Sequence, residues 1–178
     1  MDISRLVPLF TREAIAARVA EMGARIARDF HGEPLVAVCV LRGAFMFYAD
    51  LVRAISKDDL YVDFLRVSSY GAATESSGQV KLHLDLSCDI EGKNVLIVED
   101  VVDSGRSLRF LLDLLGARKP KRLACAVLVD KRARRKVEVE PDYVGFAMDD
   151  GFIVGYGLDY AGKMRNLPEI RVPEQELR

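Results

Sequence analysis

The chain has 178 residues, 50% of them hydrophobic and 30% charged, with a formal net charge of −1. That is an ordinary globular composition, long enough for one domain with a sizeable core, and it lacks the basic excess of a dedicated nucleic-acid binder. No apolar run approaches the roughly 20 residues that span a bilayer, and residues 1–5 lack the apolar stretch of a signal peptide.

In chain order, Thr11 is placed to cap a first helix with Ile15, Val19, Met22 and Ile26 on one face, ended by Gly32 and Pro34. Residues 35–41 form a continuous apolar strand. After Gly43 a second helix is expected, with Tyr48, Leu51, Val52 and Ile55 at i, i+3, i+4 and i+7. Residues 61–67 read as another strand. Residues 68–78, rich in Ser, Gly, Ala and Thr, read as a long mobile loop. Val80, Leu82, Leu84 and Leu86 then alternate with Lys81, His83 and Asp85, as in a half-buried strand, so the two flanking strands make a hairpin. Residues 95–98 are a buried strand, Leu108, Leu111, Leu112 and Leu115 mark a helix ending near Gly116, and residues 123–129 are a further strand.

This alternation predicts an α/β fold, a mostly parallel twisted sheet covered by helices on both faces. Residues 143–146 and 152–156 read as short strands with no helix between them, either late strands or a small cap, which the first ten residues join. The whole reads as a single domain, 1–178, with a core of about 11–140 and a hood of about 1–10 and 141–178. Cys39, Cys88 and Cys125 are odd in number and far apart, and Cys39 and Cys125 sit in apolar runs, as buried reduced thiols do. No Cys/His cluster suggests zinc, and a reducing cytoplasm is the expected compartment.

The chemistry concentrates after residues 95–98. Glu99 and Asp100 stand at the end of a buried strand, where ligands of open α/β sheets bind. Being adjacent, they are expected to point to different sides of the chain. Two uncompensated carboxylates would be costly in a core, so the choice lies between a solvated acidic turn and binding of hydroxyls or metal. Asp103, Ser104, Gly105, Arg106 and Ser107 then open a helix. One helix cap needs one Asp or Ser, and this turn holds three such residues plus a glycine, an excess that favours a phosphate cradle over a plain cap. It is neither a P-loop nor a Rossmann turn. His31 and His83 fit no motif. Lys131, Arg132, Arg134, Arg135 and Lys136 read, beyond the first Lys, as a solvated face, with an oligomer partner or RNA as alternatives.

The run Val98-Glu99-Asp100-Val101-Val102-Asp103-Ser104-Gly105-Arg106-Ser107-Leu108 resembles the phosphoribosyl-pyrophosphate (PRPP) signature of type I phosphoribosyltransferases. Leu41-Arg42-Gly43-Ala44 followed by Phe47-Tyr48-Ala49-Asp50-Leu51 resembles the pyrophosphate loop of the hypoxanthine-guanine members. Ser68-Ser69-Tyr70-Gly71 resembles the start of their lid. Asp130-Lys131, Phe152-Ile153-Val154-Gly155-Tyr156-Gly157-Leu158-Asp159-Tyr160 and Arg165-Asn166-Leu167-Pro168 resemble their purine-binding elements. The segments occur in the family's order along the chain, with spacing like that of bacterial members.

The resemblance implies transfer of the phosphoribosyl group of PRPP to N9 of hypoxanthine, and guanine as a second substrate, with pyrophosphate released. It implies that residues 103–107 hold the 5′-phosphate and that Glu99 and Asp100 contact the ribose hydroxyls directly or through Mg²⁺. Arg42 and Gly43, after a cis peptide bond at Leu41-Arg42, and Arg165 would bind pyrophosphate, and Asp159 would hold a second Mg²⁺. Lys131 would donate to the purine O6, Phe152 would stack on the ring, and the Ile153 carbonyl would meet a 2-amino group. Asp103 would act as general base, and Ser69 and Tyr70 would belong to a lid that excludes water. Expected partners are these small molecules and a second or further copies in a homodimer or homotetramer, with no nucleic acid and no membrane. Departures from the pattern are Ala44, Arg106, and residues 147–151, which lack a Pro and place Gly151 before Phe152; they bear on base preference. The rivals are a guanine- or xanthine-preferring enzyme and a PRPP- or nucleotide-sensing regulator of the same fold.

Overall fold

A computed structural model describes residues 5–69 and 80–177. The elements are β1 (Leu6–Phe10), α1 (Arg12–Asp29), β2 (Leu35–Leu41), α2 (Phe45–Ala54), β3 (Leu60–Ser69), β4 (Val80–Leu84), β5 (Asn94–Val102), α3 (Arg106–Gly116), β6 (Arg122–Lys131), β7 (Tyr143–Met148) and β8 (Ile170–Pro173), with 3-10 turns at Arg132–Arg134 and Glu174–Leu177.

The main sheet has six strands in the order β4-β3-β2-β5-β6-β7. All neighbours are parallel except the β3–β4 pair at the edge. From β2 the chain crosses through α2 to β3 on one side and then returns to place β5 on the other. The crevice outside the carboxyl ends of β2 and β5 is therefore the switch point of the sheet, where open α/β folds bind their ligands. Residues 35–41 of β2 and 95–98 of β5 are continuously apolar because both faces are covered. Helices α1 and α2 pack on one face, with Ile15, Val19, Met22, Ile26, Phe47 and Leu51 buried, and α3 packs on the other through Leu108, Leu111 and Leu115. The Thr11 hydroxyl accepts from Ala14 N at 3.2 Å and caps α1.

Several expectations shift. Tyr143–Met148 is the outer strand of the main sheet, parallel to β6, so the sheet runs past residue 141, where the hood was expected to begin. Residues 152–156 form no strand: Val154 makes an isolated bridge to Arg171, because Gly155 (φ +96°), Tyr156 (φ 48°) and Gly157 (φ +101°) turn the backbone out of the extended region. The antiparallel pair β1–β8 closes the small cap instead. In β4, Leu84 is exposed. The register of β3 with β4 slips between Arg66 and Val67, and such a bulge breaks the alternation. The three cysteines are free thiols, two of them buried.

Candidate active site

The site assembles where loops must approach more closely than side chains allow. Strand β2 ends in a cis peptide bond between Leu41 and Arg42. A Cβ on Gly43 would lie 1.5 Å from Asp100 Oδ2, and one on Gly157 would lie 2.1 Å from the Gly43 carbonyl oxygen. Glycine at both positions lets three separate segments meet. Between them is a cleft of about 550 Å³ lined by Arg42, Gly43, Ser68, Glu99, Asp100, Ser107, Asp159 and Arg165, with Val40, Leu41, Val67 and Val101.

Glu99 and Asp100 face this one cleft rather than opposite sides. Asp100 Oδ1 accepts from Val101 N at 2.9 Å, which swings its carboxyl along the chain to where Glu99 hydrogen-bonds it. Burial, and then the neighbouring Asp100 charge, push the Glu99 carboxyl well above its usual range. Burial raises Asp100 as well, opposed by hydrogen bonds from Val101 and Glu99 and by the nearby Arg165 charge. A hydrogen-bonded carboxyl pair held this way has hard oxygen donors and excess affinity for a proton or a cation. The solvated acidic turn is thereby set aside: Glu99 is 7% exposed. Burial first, and then Glu99 and Asp100, push the Cys39 thiol up to about 12, so it is no nucleophile at neutral pH.

The opposite wall carries Arg165 and Asp159 as an ion pair. Arg165 also donates to the Gly157 carbonyl at 2.5 Å, and Asp159 accepts from Gly162 N at 2.7 Å. The hood turn that bears them is tied to α2 by Tyr156, whose hydroxyl donates to Asp50 Oδ2 at 2.5 Å.

Below the cleft, residues 103–107 turn into α3. Gly105, at φ 82°, stands at the helix N-cap with no side-chain cap hydrogen bond of its own, and the Ser104 hydroxyl accepts from Arg106 N at 3.5 Å. A Cβ on Gly105 would come within 2.8 Å of Val139 and 2.9 Å of Arg135. The Ser104 carbonyl accepts from Lys136 N at 2.9 Å and Val137 N at 3.2 Å, which fixes the turn, and Ser107 at its end lines the cleft.

A second group of candidates gathers beside this turn. Lys131 is buried and donates to the Gly151 carbonyl at 2.6 Å. Phe152, half-buried, meets Tyr160 edge-on at 5.6 Å, and Ile153 is buried in the core. Asp103 Oδ1 is 3.1 Å from Arg134 Nε, and Arg134 Nη1 is 3.1 Å from Asp150 Oδ1.

The cleft thus brings together Arg42, Gly43, Glu99, Asp100, Ser107, Asp159 and Arg165. Asp103, Ser104, Gly105 and Arg106 lead into it along the chain, and Lys131, Phe152 and Ile153 stand in the neighbouring group. Ser69 ends β3; Tyr70 lies outside the described residues. Beyond Lys131 the basic cluster is largely solvent-exposed, as expected, with Arg135 partly buried, and three of its members also make ion pairs. Arg135 pairs with the buried Asp130 and donates to the Asp103 carbonyl at 3.3 Å, Arg132 pairs with Asp130 at 3.1 Å, and Arg134 joins Asp103 to Asp150. Asp103 and Asp150 are distant in sequence from Arg134, and Asp130 lies near the end of the preceding strand, an arrangement that periodicity does not reveal. Tyr156, Asp50 and His83, which shares a 2.6 Å hydrogen bond with Ser68 at the cleft edge, were likewise not singled out, although the Gly-Tyr-Gly sequence at 155–157 signals a forced turn.

A family model described as the phosphoribosyl transferase domain matches residues 9–161. The hypoxanthine-guanine phosphoribosyltransferase of Aquifex aeolicus is 46% identical over 171 residues, 96% of this chain and 96% of the relative. The bifunctional protein TilS/HprT of Listeria monocytogenes is 43% identical over 176 residues, and there the chain spans 99% of itself but 27% of the relative's length. Among solved structures, a hypoxanthine phosphoribosyltransferase from Staphylococcus aureus superposes with a TM-score of 0.90 at 43% identity, covering 96% of this chain and 92% of that one.

Proposed function

The chain belongs to the phosphoribosyltransferase family, and from that premise we propose that it is a Mg²⁺-dependent purine salvage enzyme converting PRPP and hypoxanthine, and guanine as a second base, to the nucleotide and pyrophosphate. The observation that carries this reading is the cleft at the β2/β5 switch point, which gathers two loop glycines' worth of close backbone approach, a carboxyl pair, Ser107 of the turn into α3, and Arg42 and Arg165.

In this reading residues 104–107, with Ser104, Gly105, Arg106 and Ser107, hold the 5′-phosphate. Glu99 and Asp100 take the ribose hydroxyls. Arg42, Gly43 and Arg165 take the pyrophosphate. As the bond from C1 to pyrophosphate breaks and the bond to N9 forms, the sugar gathers positive charge and the leaving group negative charge. Loop amides, and Arg165 once it turns from Asp159, would stabilise the latter. Lys131 donates to the purine O6, Phe152 stacks on the ring, the Ile153 carbonyl receives a 2-amino group, and Asp103 accepts the purine's N7 proton. Ser69 and Tyr70 belong to a segment that excludes water.

The donor set fits Mg²⁺. Among the described residues no three metal-ligating side chains converge, and Mg²⁺ takes one or two carboxylates and fills its shell with water and phosphate oxygens. Glu99 and Asp100 would hold one ion, and Asp159 a second if Arg165 turns to the pyrophosphate. Bound Mg²⁺ supplies the charge that neutralises the leaving pyrophosphate. A cytoplasmic homodimer or homotetramer without nucleic-acid or membrane partners completes the proposal. No helix of the described residues is long and apolar enough to cross a membrane.

Nucleotide formation measured with hypoxanthine, guanine and xanthine, with and without chelator, tests it. We expect IMP and GMP, lost on removing Mg²⁺. A clear xanthine preference overturns the base assignment, and tight RNA binding with no pyrophosphate released from PRPP by any purine overturns the enzyme reading.

A further inference from the structure

We propose that Arg134 is a positioning residue that holds the Asp103 carboxylate in its working orientation and links it to the loop carrying the base-stacking ring; this rests on Asp103 being the general base. Arg134 ends the 3-10 turn that follows Lys131. Its guanidinium reaches two carboxylates at once, Nε to Asp103 Oδ1 and Nη1 to Asp150 Oδ1, each at 3.1 Å. Asp150 in turn accepts from Gly151 N at 2.6 Å, and Gly151 receives the Lys131 ammonium on its carbonyl at 2.6 Å. The planar fork of an arginine suits such a bridge, where a lysine would serve one carboxylate at a time.

Arg135 holds the same residue from the other side. It pairs with the buried Asp130 and donates to the Asp103 backbone carbonyl at 3.3 Å. The backbone of Asp103 is therefore fixed by Arg135 and its side chain by Arg134. A carboxylate carries about four acceptor positions, so an ion pair at Oδ1 leaves capacity for a purine proton. The Asp103, Arg134 and Asp150 side chains are each close to half exposed or more, and exposed ion pairs add little to stability. What this bridge does control is orientation, and a general base must stand within hydrogen-bond reach of its proton.

The test is a double-mutant cycle with Arg134→Gln and Asp103→Asn, reading kcat, the KM values for base and PRPP, and thermal unfolding. We expect Arg134→Gln to lower kcat roughly tenfold, a fraction of the loss a full misplacement can cause. The KM for PRPP and the unfolding midpoint should stay near the wild-type values, and Arg134→Lys, which can serve Asp103 alone, should recover part of kcat. In the Asp103→Asn background, Arg134→Gln should have no further effect. An equal loss in both backgrounds, or no loss in either, overturns the proposal. Wild-type turnover in Asp103→Asn alone would instead remove Asp103 from the base role, and the role of Arg134 with it.

Discussion

At the scale of single residues, Glu99 is the group whose protonation is coupled most directly to the fold. Its carboxyl is raised well above 4.5 by burial and by Asp100. A raised folded value means that its contribution to stability is full below about pH 4.5 and is lost as pH rises through that folded value. Ligand-free protein should accordingly lose thermal stability as pH rises above about 4.5, and Glu99→Gln should melt a few degrees higher than wild type at the alkaline end, on a scale where ~1 kcal/mol moves a chain of this size by about 2–4 °C. Calorimetry across that range checks the crossing; parallel pH profiles for the two proteins would contradict it. Gly43→Ala makes the complementary prediction. Its methyl would stand 1.5 Å from Asp100 Oδ2, so kcat/KM should fall roughly 10²-fold or more while far-ultraviolet circular dichroism stays unchanged. Residue identities of this kind were legible in sequence: the carboxyl pair, the loop glycine Gly43 and Ser107 of the glycine-serine turn line one cleft. The partners of Arg134 and Arg135 were not, because Asp103, Asp130 and Asp150 meet them only once β5, β6 and the 149–152 turn are side by side.

At the scale of elements, the cleft depends on how the hood turn is held against α2. Tyr156 donates to Asp50 Oδ2 at 2.5 Å, and Gly157 lies against the Gly43 carbonyl, so the segment bearing Asp159 and Arg165 is registered on the same helix that the Arg42–Gly43 turn leads into. Tyr156→Phe should cost about 1.5–3 kcal/mol in urea unfolding, as for a hydrogen bond to a charged acceptor, and should raise KM for PRPP more than KM for the base. Unchanged KM for PRPP would mean that the tie does not set the pyrophosphate side. The continuous apolar run of β2 was readable residue for residue, since burial on both faces leaves an unbroken pattern, whereas β5 continues four residues past its apolar run through Glu99 and Asp100 to Val102. The run at 152–156 looked equally strand-like, but its apolar side chains are buried by a backbone that turns at Gly155 and Gly157, and composition does not separate a packed turn from a ladder.

At the scale of the whole molecule, strand order decides where the chemistry sits. The reversal between β3 and β5 about β2 opens one crevice and points the β2 and β5 loops into it. Alternating strands and helices implied the parallel sheet, whereas the order of strands rests on long-range packing that no local pattern records. The proposed roles divide along the same crevice: Arg42, Gly43, Glu99, Asp100, Asp159 and Arg165 would serve the sugar and pyrophosphate, and Asp103, Lys131 and Phe152 the base, joined by the 103–107 turn. A crystal structure with IMP and Mg²⁺ bound tests that division most directly. We expect the 5′-phosphate on the amides of residues 104–107, the ribose hydroxyls at Glu99 and Asp100, and the hypoxanthine ring on Phe152 within hydrogen-bond reach of Lys131 and Asp103. A nucleotide bound outside this crevice, or seated with its base at the carboxyl pair, would contradict it.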